Sequence, residues 1–288
     1  PDRRPVDRRP GHQNVVIFVR EADAATARAL GYARSIRPAR IRAVTPDPAV
    51  AATWRRLAPD IELEILPKGG SLRKRLFDYL ALRRSEVTSD EFLTLMVPEI
   101  LRTRSPLEIV LHPSIHLLKG RLKRAPGVCL IDVPIVEEEI DPSFDEAQEP
   151  TRNFVLVMVS SVNNAALQAI EFAETLRPTD LRALYLGMED PEQSEVLGDA
   201  WLEAGIPHPL ELEDSPHREF GASLERYLDQ FQPNGHDRVV TIVLPEWVVG
   251  KWRHQILHNQ TALIIKKDML FRPGVIVASV PYDLSETI

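Results

Sequence analysis

Three short polar stretches in the second half of the chain carry residue types that can bind a phosphate-bearing ligand. An arginine guanidinium forks onto phosphate oxygens, and a histidine can hydrogen-bond to a base or stack on it. The free N–H groups in the first turn of a helix, at the positive end of its dipole, also favour an anion. The candidate ligand-binding residues are Ser160, Ser161, Asn163, Ser215, His217, Arg218, Glu246, His258, Asn259, Gln260 and Thr261.

The same stretches also have a structural interpretation, because their residue types are those that begin helices. Asn259 and Ser215 are good helix N-caps, and Pro216 suits a first helical turn. The first half of the chain has "PKGGSLR" where the second has "DSPHREF", so only the second half carries the His-Arg pair. We therefore expect that the second half, rather than the first, binds the ligand if there is one.

No residue pattern predicts a catalytic or metal centre. His112 with His116, and His254 with His258, have a spacing found in metal ligands, but the pairs do not align between the halves and have no suitably spaced third ligand. Glu99 and Glu246 recur in the two halves, but no partner nucleophile or second carboxylate accompanies them, which favours structural pairing or a helix-end contact.

Two further residue types favour packing or an interface over chemistry. Cys129, the only cysteine, lies within an apolar run typical of a buried strand. Trp247 and Trp252 bracket "VVGK" and precede Arg253 and His254, and such an aromatic and basic stretch is common at interfaces. Dimer packing, adenine stacking, contact with a membrane partner and plain core packing all remain open for the two tryptophans.

The elements that must position these residues occur twice along the chain. The order Pro-Glu, Leu-His, Pro-Gly, Val-Pro in residues 92–135 recurs in residues 239–282. "NVVIFV" at 14–19 likewise matches "NFVLVMV" at 153–159. One domain has therefore been duplicated. The predicted division is a linker at 1–13, a first copy at 14–135, an acidic linker at 136–152 and a second copy at 153–288.

Within each copy, apolar runs alternate with helical patterns, which predicts a parallel sheet with right-handed crossovers. The sequence thus predicts an α/β fold with two tandem, doubly wound, five-stranded parallel-sheet domains. The predicted strands are 14–19, 41–45, 61–66, 92–97, 127–133, 153–159, 181–186, 209–212, 238–244 and 274–280. The predicted helices are 23–36, 48–58, 71–84, 113–124, 163–176, 191–204, 218–231 and 259–270.

This topology places a ligand crevice beyond the carboxyl ends of the first and fourth strands, where the strand order reverses. Pro98-Glu99 and Pro245-Glu246 are expected just after the fourth strand of each copy. The apolar fifth strands, "GVCLIDVPI" and "GVIVASVPY", are expected at sheet edges, covered by the other copy or by a second chain.

Composition narrows the functional class. The chain has 288 residues and a net charge of −7, which argues against bulk nucleic-acid binding. It has no apolar run near the roughly 20 residues that cross a bilayer. The arginine-rich opening, "PDRRPVDRRP", is interpreted as a disordered tail or as a juxtamembrane segment, since cytoplasmic flanks of membrane spans collect Lys and Arg.

The alternating pattern resembles the universal stress protein fold, and the segment from Leu244 to Tyr282 is more specific. Its Pro245-Glu246, Leu257-to-Thr261 and Val280-to-Tyr282 stretches are similar to the cytosolic C-terminal tandem domain of APC-superfamily permeases, a superfamily that moves potassium or amino acids. The resemblance implies a module on the cytoplasmic side of the membrane, linked to a transmembrane transport domain. It also implies a homodimer and inhibition by cyclic di-AMP.

The Gly-rich signature of nucleotide-binding stress proteins, Gly-x2-Gly-x9-Gly-Ser/Thr, is absent from both copies, which argues against ordinary ATP binding. The expected function is therefore a non-enzymatic regulatory and dimerisation module. Its expected ligand is cyclic di-AMP or another adenine nucleotide, and no cofactor is certain. Three alternatives remain: a stand-alone tandem stress protein that binds ATP, a small nucleotide hydrolase, and a ligand-free dimerisation platform.

Overall fold

A computed structural model describes residues 12–88, 90–101, 127–136, 140, 147–187, 191–214, 220–248 and 269–283. Its first repeat has the strands β1 His12–Phe18, β2 Arg40–Thr45, β3 Leu63–Ile65, β4 Glu91–Leu101 and β5 Val128–Val136, with the helices α1 Ala24–Ser35, α2 Ala51–Leu57 and α3 Leu72–Ser85. The second has β6 Arg152–Met158, β7 Asp180–Gly187, β8 Leu210–Asp214, β9 Arg238–Val248 and β10 Val275–Asp283, with α4 Asn164–Thr175, α5 Pro191–Glu203 and α6 Phe220–Asp229.

The ten strands form one sheet in the order β3-β2-β1-β4-β5-β10-β9-β6-β7-β8. Every neighbouring pair is parallel except β5 and β10, which meet antiparallel at the centre. Each half therefore has the same doubly wound order, and the predicted fold class is confirmed. The predicted helices at 113–124 and 259–270 lie outside the described residues, apart from the end of the second.

The β5–β10 pairing relates the two halves by an approximate two-fold axis. Ile131 faces Ala278 in the antiparallel register, and these residues hold equivalent places in their strands, since both are the fourth residue. The apolar fifth strands thus cover each other within one chain. This pairing removes the uncovered edges as a reason to expect a second chain.

The helices divide between the two faces of the sheet. Side chains of α1, α2, α4 and α5 share one buried cluster, and those of α3 and α6 form two clusters on the other face. An indole N–H fixes the same turn in both repeats: Trp54 donates to the Ile61 carbonyl at 2.8 Å, and Trp201 donates to the His208 carbonyl at 2.9 Å. These repeated contacts identify α2 and α5 as counterparts.

The fourth strands are longer than predicted, which corrects the placement of the Pro-Glu pairs. Pro98-Glu99 lies inside β4 and Pro245-Glu246 inside β9, and they pair with β5 and β10 respectively. Proline is tolerated there because β1 pairs with β4 only as far as Met96, and β6 with β9 only as far as Val243. Beyond those residues each strand has a neighbour on one side only, where a missing N–H need not break a ladder.

Buried hydrogen bonds join the two repeats on the face of the sheet that carries α1 and α4. Gln13 of β1 accepts from Thr94 and donates to Thr175 of α4, both at 2.6 Å. The other set joins Tyr32 of α1 to Thr241 of β9 at 2.8 Å, and Thr241 donates to Asn153 of β6 at 2.8 Å. A buried polar group costs free energy unless it is paired, so these bonds favour one relative placement of the repeats.

The end of the segment that joins the two repeats packs against α1. Residues 147–150 pass so close to this helix that a Cβ atom on Gly31 would overlap the Gln148 carbonyl oxygen.

No helix among the described residues is long and apolar enough to cross a membrane.

Candidate ligand site at the carboxyl edge of the second repeat

The strand order reverses between β6 and β9, as the sequence predicted for the first and fourth strands of the repeat. From β6 the chain passes through α4 to β7 on one side, whereas β9 neighbours β10 on the other. The last register pair of β6 and β9 is Val157 with Val243. The pairing of the two strands ends there. This place at the carboxyl edge, the β6–β9 crevice, is where ligands bind in folds of this kind.

The loop after β6 supplies the serines of this crevice. The Val159 N–H donates to the Leu184 carbonyl at 3.0 Å, which carries the chain one residue beyond the strand before it turns. Ser160 and Ser161 are exposed. Their hydroxyls can donate to or accept from a polar ligand.

Asn163 is held by the helix that follows. Its Oδ1 accepts from the Ala166 N–H at 2.9 Å, and its Nδ2 donates to the Ser161 hydroxyl at 2.8 Å. The first contact is the N-cap bond of α4, in which a side-chain oxygen pairs a backbone donor that the helix leaves free. Asn163 thus orders the loop that presents Ser160 and Ser161.

Glu246 reaches the same level of the sheet from β9. It stands three residues beyond Val243, as Ser160 stands three beyond Val157. Glu246 is only 2% exposed and interacts with other groups of the protein. A buried carboxylate requires such partners, which supports the structural interpretation of this residue.

An aromatic pair follows Glu246 and distinguishes the second repeat from the first. The rings of Trp247 and Tyr282 are 5.4 Å apart and nearly perpendicular, and both side chains are half-buried. At the corresponding register positions of β4 and β5 the first repeat has Ile100 and Ile135. The aromatic rings give the second repeat a surface on which a base could stack.

The corresponding edge of the first repeat has the same architecture with charged residues. Asp23 caps α1 by accepting from the Thr26 N–H at 2.9 Å, and the Thr26 hydroxyl donates to the Glu21 carbonyl at 2.6 Å. Arg20 and Glu21 occupy the places of Ser160 and Ser161. The two edges therefore differ in charge and hydrogen-bonding character.

Other predicted residues lie outside the part of the chain that the structure describes. They are Ser215, His217, Arg218, His258, Asn259, Gln260 and Thr261, together with Trp252 and the His112–His116 and His254–His258 pairs. Their convergence on the β6–β9 crevice stays a prediction. Within the described ranges, no three His, Cys, Asp or Glu side chains are grouped to hold a metal. Cys129 lies in the core, where burial raises the pKa of its thiol.

Sequence reasoning missed a polar cluster between the edge strands of the first repeat and α3. Glu64 of β3 accepts from Arg42 at 3.0 Å, from Arg83 at 2.9 Å and from the Tyr79 hydroxyl at 3.0 Å. Burial, with the neighbouring Glu64 carboxylate, raises the pKa of Tyr79. The sequence signal was the recurrence of Arg42-Ala43 as Arg182-Ala183 and of Tyr79-Leu80 as Tyr227-Leu228.

The second repeat has the corresponding Arg182, which pairs with Glu211 at 3.1 Å and Asp180 at 2.6 Å. Near the first cluster, a cleft lined by Arg42, Arg83 and Glu86 holds only about 30 Å³. This volume suits one or two water molecules rather than a nucleotide. Because the arginines already pair with Glu64 and Glu86, the cluster braces an edge strand of the sheet.

Comparison with known proteins bears on both the fold and the family. The family described as the KimA potassium transporter C-terminal domain matches residues 11–135 and 151–282. The potassium transporter KimA of Bacillus subtilis (strain 168) is 24% identical over 149 residues, or 51% of this chain and 24% of that protein. The match thus spans about a quarter of that relative's length.

A solved structure supports the fold alone. The crystal structure of a universal stress protein from Archaeoglobus fulgidus DSM 4304 superposes with a TM-score of 0.54 at 11% sequence identity. The superposition covers 92% of this chain and 98% of the other. At this level of identity, the similarity indicates shared architecture and carries no information on ligands.

Proposed function

Because the chain belongs to the KimA potassium transporter C-terminal domain family, we propose that it is the cytosolic regulatory and dimerisation module of an APC-type membrane transporter. The observation that carries the proposal is the match of this family to both repeats, residues 11–135 and 151–282. The family's description supports potassium over an amino acid as the transported substrate.

The proposal implies two partners and a location. One partner is the transmembrane transport domain of the same full-length chain, to which the arginine-rich opening would lead. The other is a second copy of the chain in a homodimer. The module would then lie on the cytoplasmic side of the cell membrane, where Lys and Arg collect near membrane spans.

The proposed ligand is an adenine nucleotide, with cyclic di-AMP the first candidate, bound at the β6–β9 crevice of the second repeat. The exposed Ser160 and Ser161, at a topological switch point, support this site. The half-buried Trp247–Tyr282 pair nearby could stack on an adenine ring. The missing Gly-rich loop favours cyclic di-AMP over ATP, since ATP-binding stress proteins hold phosphates with that loop.

Regulation would operate through differential affinity rather than catalysis. A ligand that binds one arrangement of the dimer more tightly than another shifts the population toward that arrangement. The same coupling free energy, typically about 1–3 kcal/mol, then shifts the conformational equilibrium of the attached transport domain. No covalent step is part of this proposal.

A ligand-free dimerisation platform is the second candidate, and two observations favour it. The Asn163 side chain already serves as a helix cap, and Glu246 is buried among protein partners. Neither residue needs a ligand to explain its place. In this alternative the second repeat contributes only surface for assembly.

Equilibrium titration of the 288-residue chain with cyclic di-AMP and with ATP tests the proposal, with oligomeric state measured in parallel. The regulatory proposal expects saturable binding of cyclic di-AMP and much weaker binding of ATP. A dimer that binds neither nucleotide, by calorimetry and by a heat-independent assay, would support the platform. Tight ATP binding would favour a stand-alone stress protein, and phosphate release with magnesium would favour a hydrolase.

A further inference from the structure

The outer side of α5 exposes two large apolar side chains among acidic ones. Leu202 is 79% exposed and Val196 64% exposed, the highest values for large hydrophobic residues in the described ranges. Their helical spacing puts them on the same side as Glu195 and Asp199, which are also exposed. An exposed apolar surface bordered by charge is typical of a protein interface.

The charge of this helix belongs to a wider asymmetry between the repeats. Residues 14–135 contain 20 Lys and Arg against 13 Asp and Glu, a net charge of +7. Residues 153–288 contain 10 against 20, a net charge of −10. The two repeats thus have opposite net charges along the sequence, and the first repeat offers a complementary partner for the second.

The complementary surface is α2, the counterpart of α5. Arg55 and Arg56 are exposed on α2 beside the small exposed residues Ala52 and Thr53. Small side chains allow a bulky partner residue such as Leu202 to approach the helix, while the arginines can pair with carboxylates. Since α2 and α5 contribute to the same buried cluster, both lie on the same face of the sheet.

We propose that two copies of this chain dock through the face of the sheet that carries α1, α2, α4 and α5, so that α5 of each copy lies on α2 of the other. The proposal rests on the homodimer of the proposed function and assigns its contact surface. The two helices belong to opposite halves of one sheet and are exchanged by its internal two-fold relation. A two-fold axis parallel to the strands, which relates the second copy to the first, sets α5 of each copy against α2 of the other. The dimer then has two identical contacts.

Charge reversal tests this arrangement with the intact 288-residue chain. One variant carries Glu195→Lys with Asp199→Lys on α5, and the other carries Arg55→Glu with Arg56→Glu on α2. Each reversal sets like charges against each other at both contacts. Like-charge contacts at an interface cost several kcal/mol, so we expect the self-association constant of either variant to fall by on the order of a hundredfold.

Mixing the two variants distinguishes the proposed contact from misfolding and from any other interface. A mixed dimer pairs lysines on α5 with glutamates on α2 at one contact and retains the original pairing at the other. We expect the mixture to form a dimer while neither variant does so alone, measured by sedimentation velocity and native mass spectrometry. Matched control reversals on the opposite face, Glu225→Lys and Arg73→Glu, should leave association unchanged.

Each result has a separate meaning. A monomeric wild type at every concentration overturns this interface and the dimer of the proposed function together. A wild-type dimer that tolerates both reversals overturns this interface alone. Loss of association that mixing does not restore also overturns it, because misfolding or another contact then explains the loss.

Discussion

The Tyr32 hydroxyl lies 2.8 Å from the Thr241 hydroxyl, which joins a helix of the first repeat to a strand of the second. Thr241 donates its own proton to Asn153, so it accepts from Tyr32. Tyr32 and Thr241 are both fully buried, with exposed fractions of 1% and 0%. The bond therefore forms in a region without competing water and links the two halves of the sheet.

Tyr32→Phe should lower the free energy of unfolding by about 1 kcal/mol, because it removes one buried hydrogen bond while Thr241 keeps Asn153 as a partner. Urea denaturation followed by circular dichroism measures the change. Tyr185→Phe is the control, since the Tyr185 hydroxyl makes only a 3.4 Å contact near the surface. Equal losses in the two variants would contradict a special role for Tyr32.

Stability should fall as the pH rises from about 10 to about 12. Burial raises the pKa of Tyr32 from 10.0 to about 12, although its hydrogen bonds oppose the shift. Within this window the unfolded chain releases the proton and the folded chain retains it, so deprotonation favours unfolding. Tyr79 and Tyr227 shift in the same direction. Tyr32→Phe should make the alkaline decline shallower in denaturation curves measured at several pH values, and an unchanged slope would contradict this assignment.

Gly31→Ala should destabilise the protein by about 1–3 kcal/mol, because the new methyl group would overlap the Gln148 carbonyl and displace residues 147–150. Gly198→Ala in α5 is the matched control, since a Cβ there meets nothing within 4 Å. Replacing a glycine in a helix interior by alanine stabilises by roughly 0.5–1 kcal/mol. The two variants should therefore shift the thermal midpoint in opposite directions, and a common direction would contradict the packing of the linker on α1.

Asn163→Ala should cost about 1 kcal/mol of stability through loss of the α4 cap. Asp23→Ala should cost a similar amount in α1, because Asp23 makes the same bond in the first repeat. Asn163→Asp keeps an acceptor oxygen and should remain close to the wild type. Chemical denaturation compares all three, and an aspartate variant as unstable as the alanine variant would contradict the cap.

Arg218→Ala should weaken cyclic di-AMP binding roughly tenfold or more. Loss of a charge-assisted hydrogen bond costs about 1.5–3 kcal/mol, and each 1.4 kcal/mol is a tenfold change in affinity. Arg226→Ala is the control, since Arg226 is an exposed arginine on α6. Isothermal titration of the three proteins measures the difference, and equal affinities would remove Arg218 from the proposed site.

The sequence predicted the central strands because they contain continuous apolar runs, as in Val15 to Val19. It did not predict how far β4 and β9 extend, because proline is normally read as a strand boundary. Pro98 and Pro245 are exceptions because the pairing with β1 and with β6 ends before each proline. That event depends on neighbouring strands, which local residue patterns do not report.

The candidate site was predictable in its place and less so in its detail. Strand alternation and the switch-point rule predicted Ser160, Ser161 and Glu246 at the carboxyl edge of the first and fourth strands, and all three follow the last β6–β9 pair. The burial of Glu246 could not be predicted, since it arises from β9 continuing beside β10. The bonds between repeats could not be predicted either. Thr94 and Thr241 hold equivalent register positions, but Tyr32 aligns with Phe172, so the helix residue that completes the set differs between the repeats.

The antiparallel meeting of β5 and β10 has a consequence for synthesis on the ribosome. β5 begins at Val128 and β10 at Val275, so 147 residues must be translated after one begins before the other begins. At about 5–20 residues per second this interval lasts roughly 7–30 s. Throughout it, the emerging first repeat carries an apolar strand edge whose cover does not yet exist, the type of edge that invites aggregation. The centre of the finished sheet is thus the last part of the nascent chain to be protected.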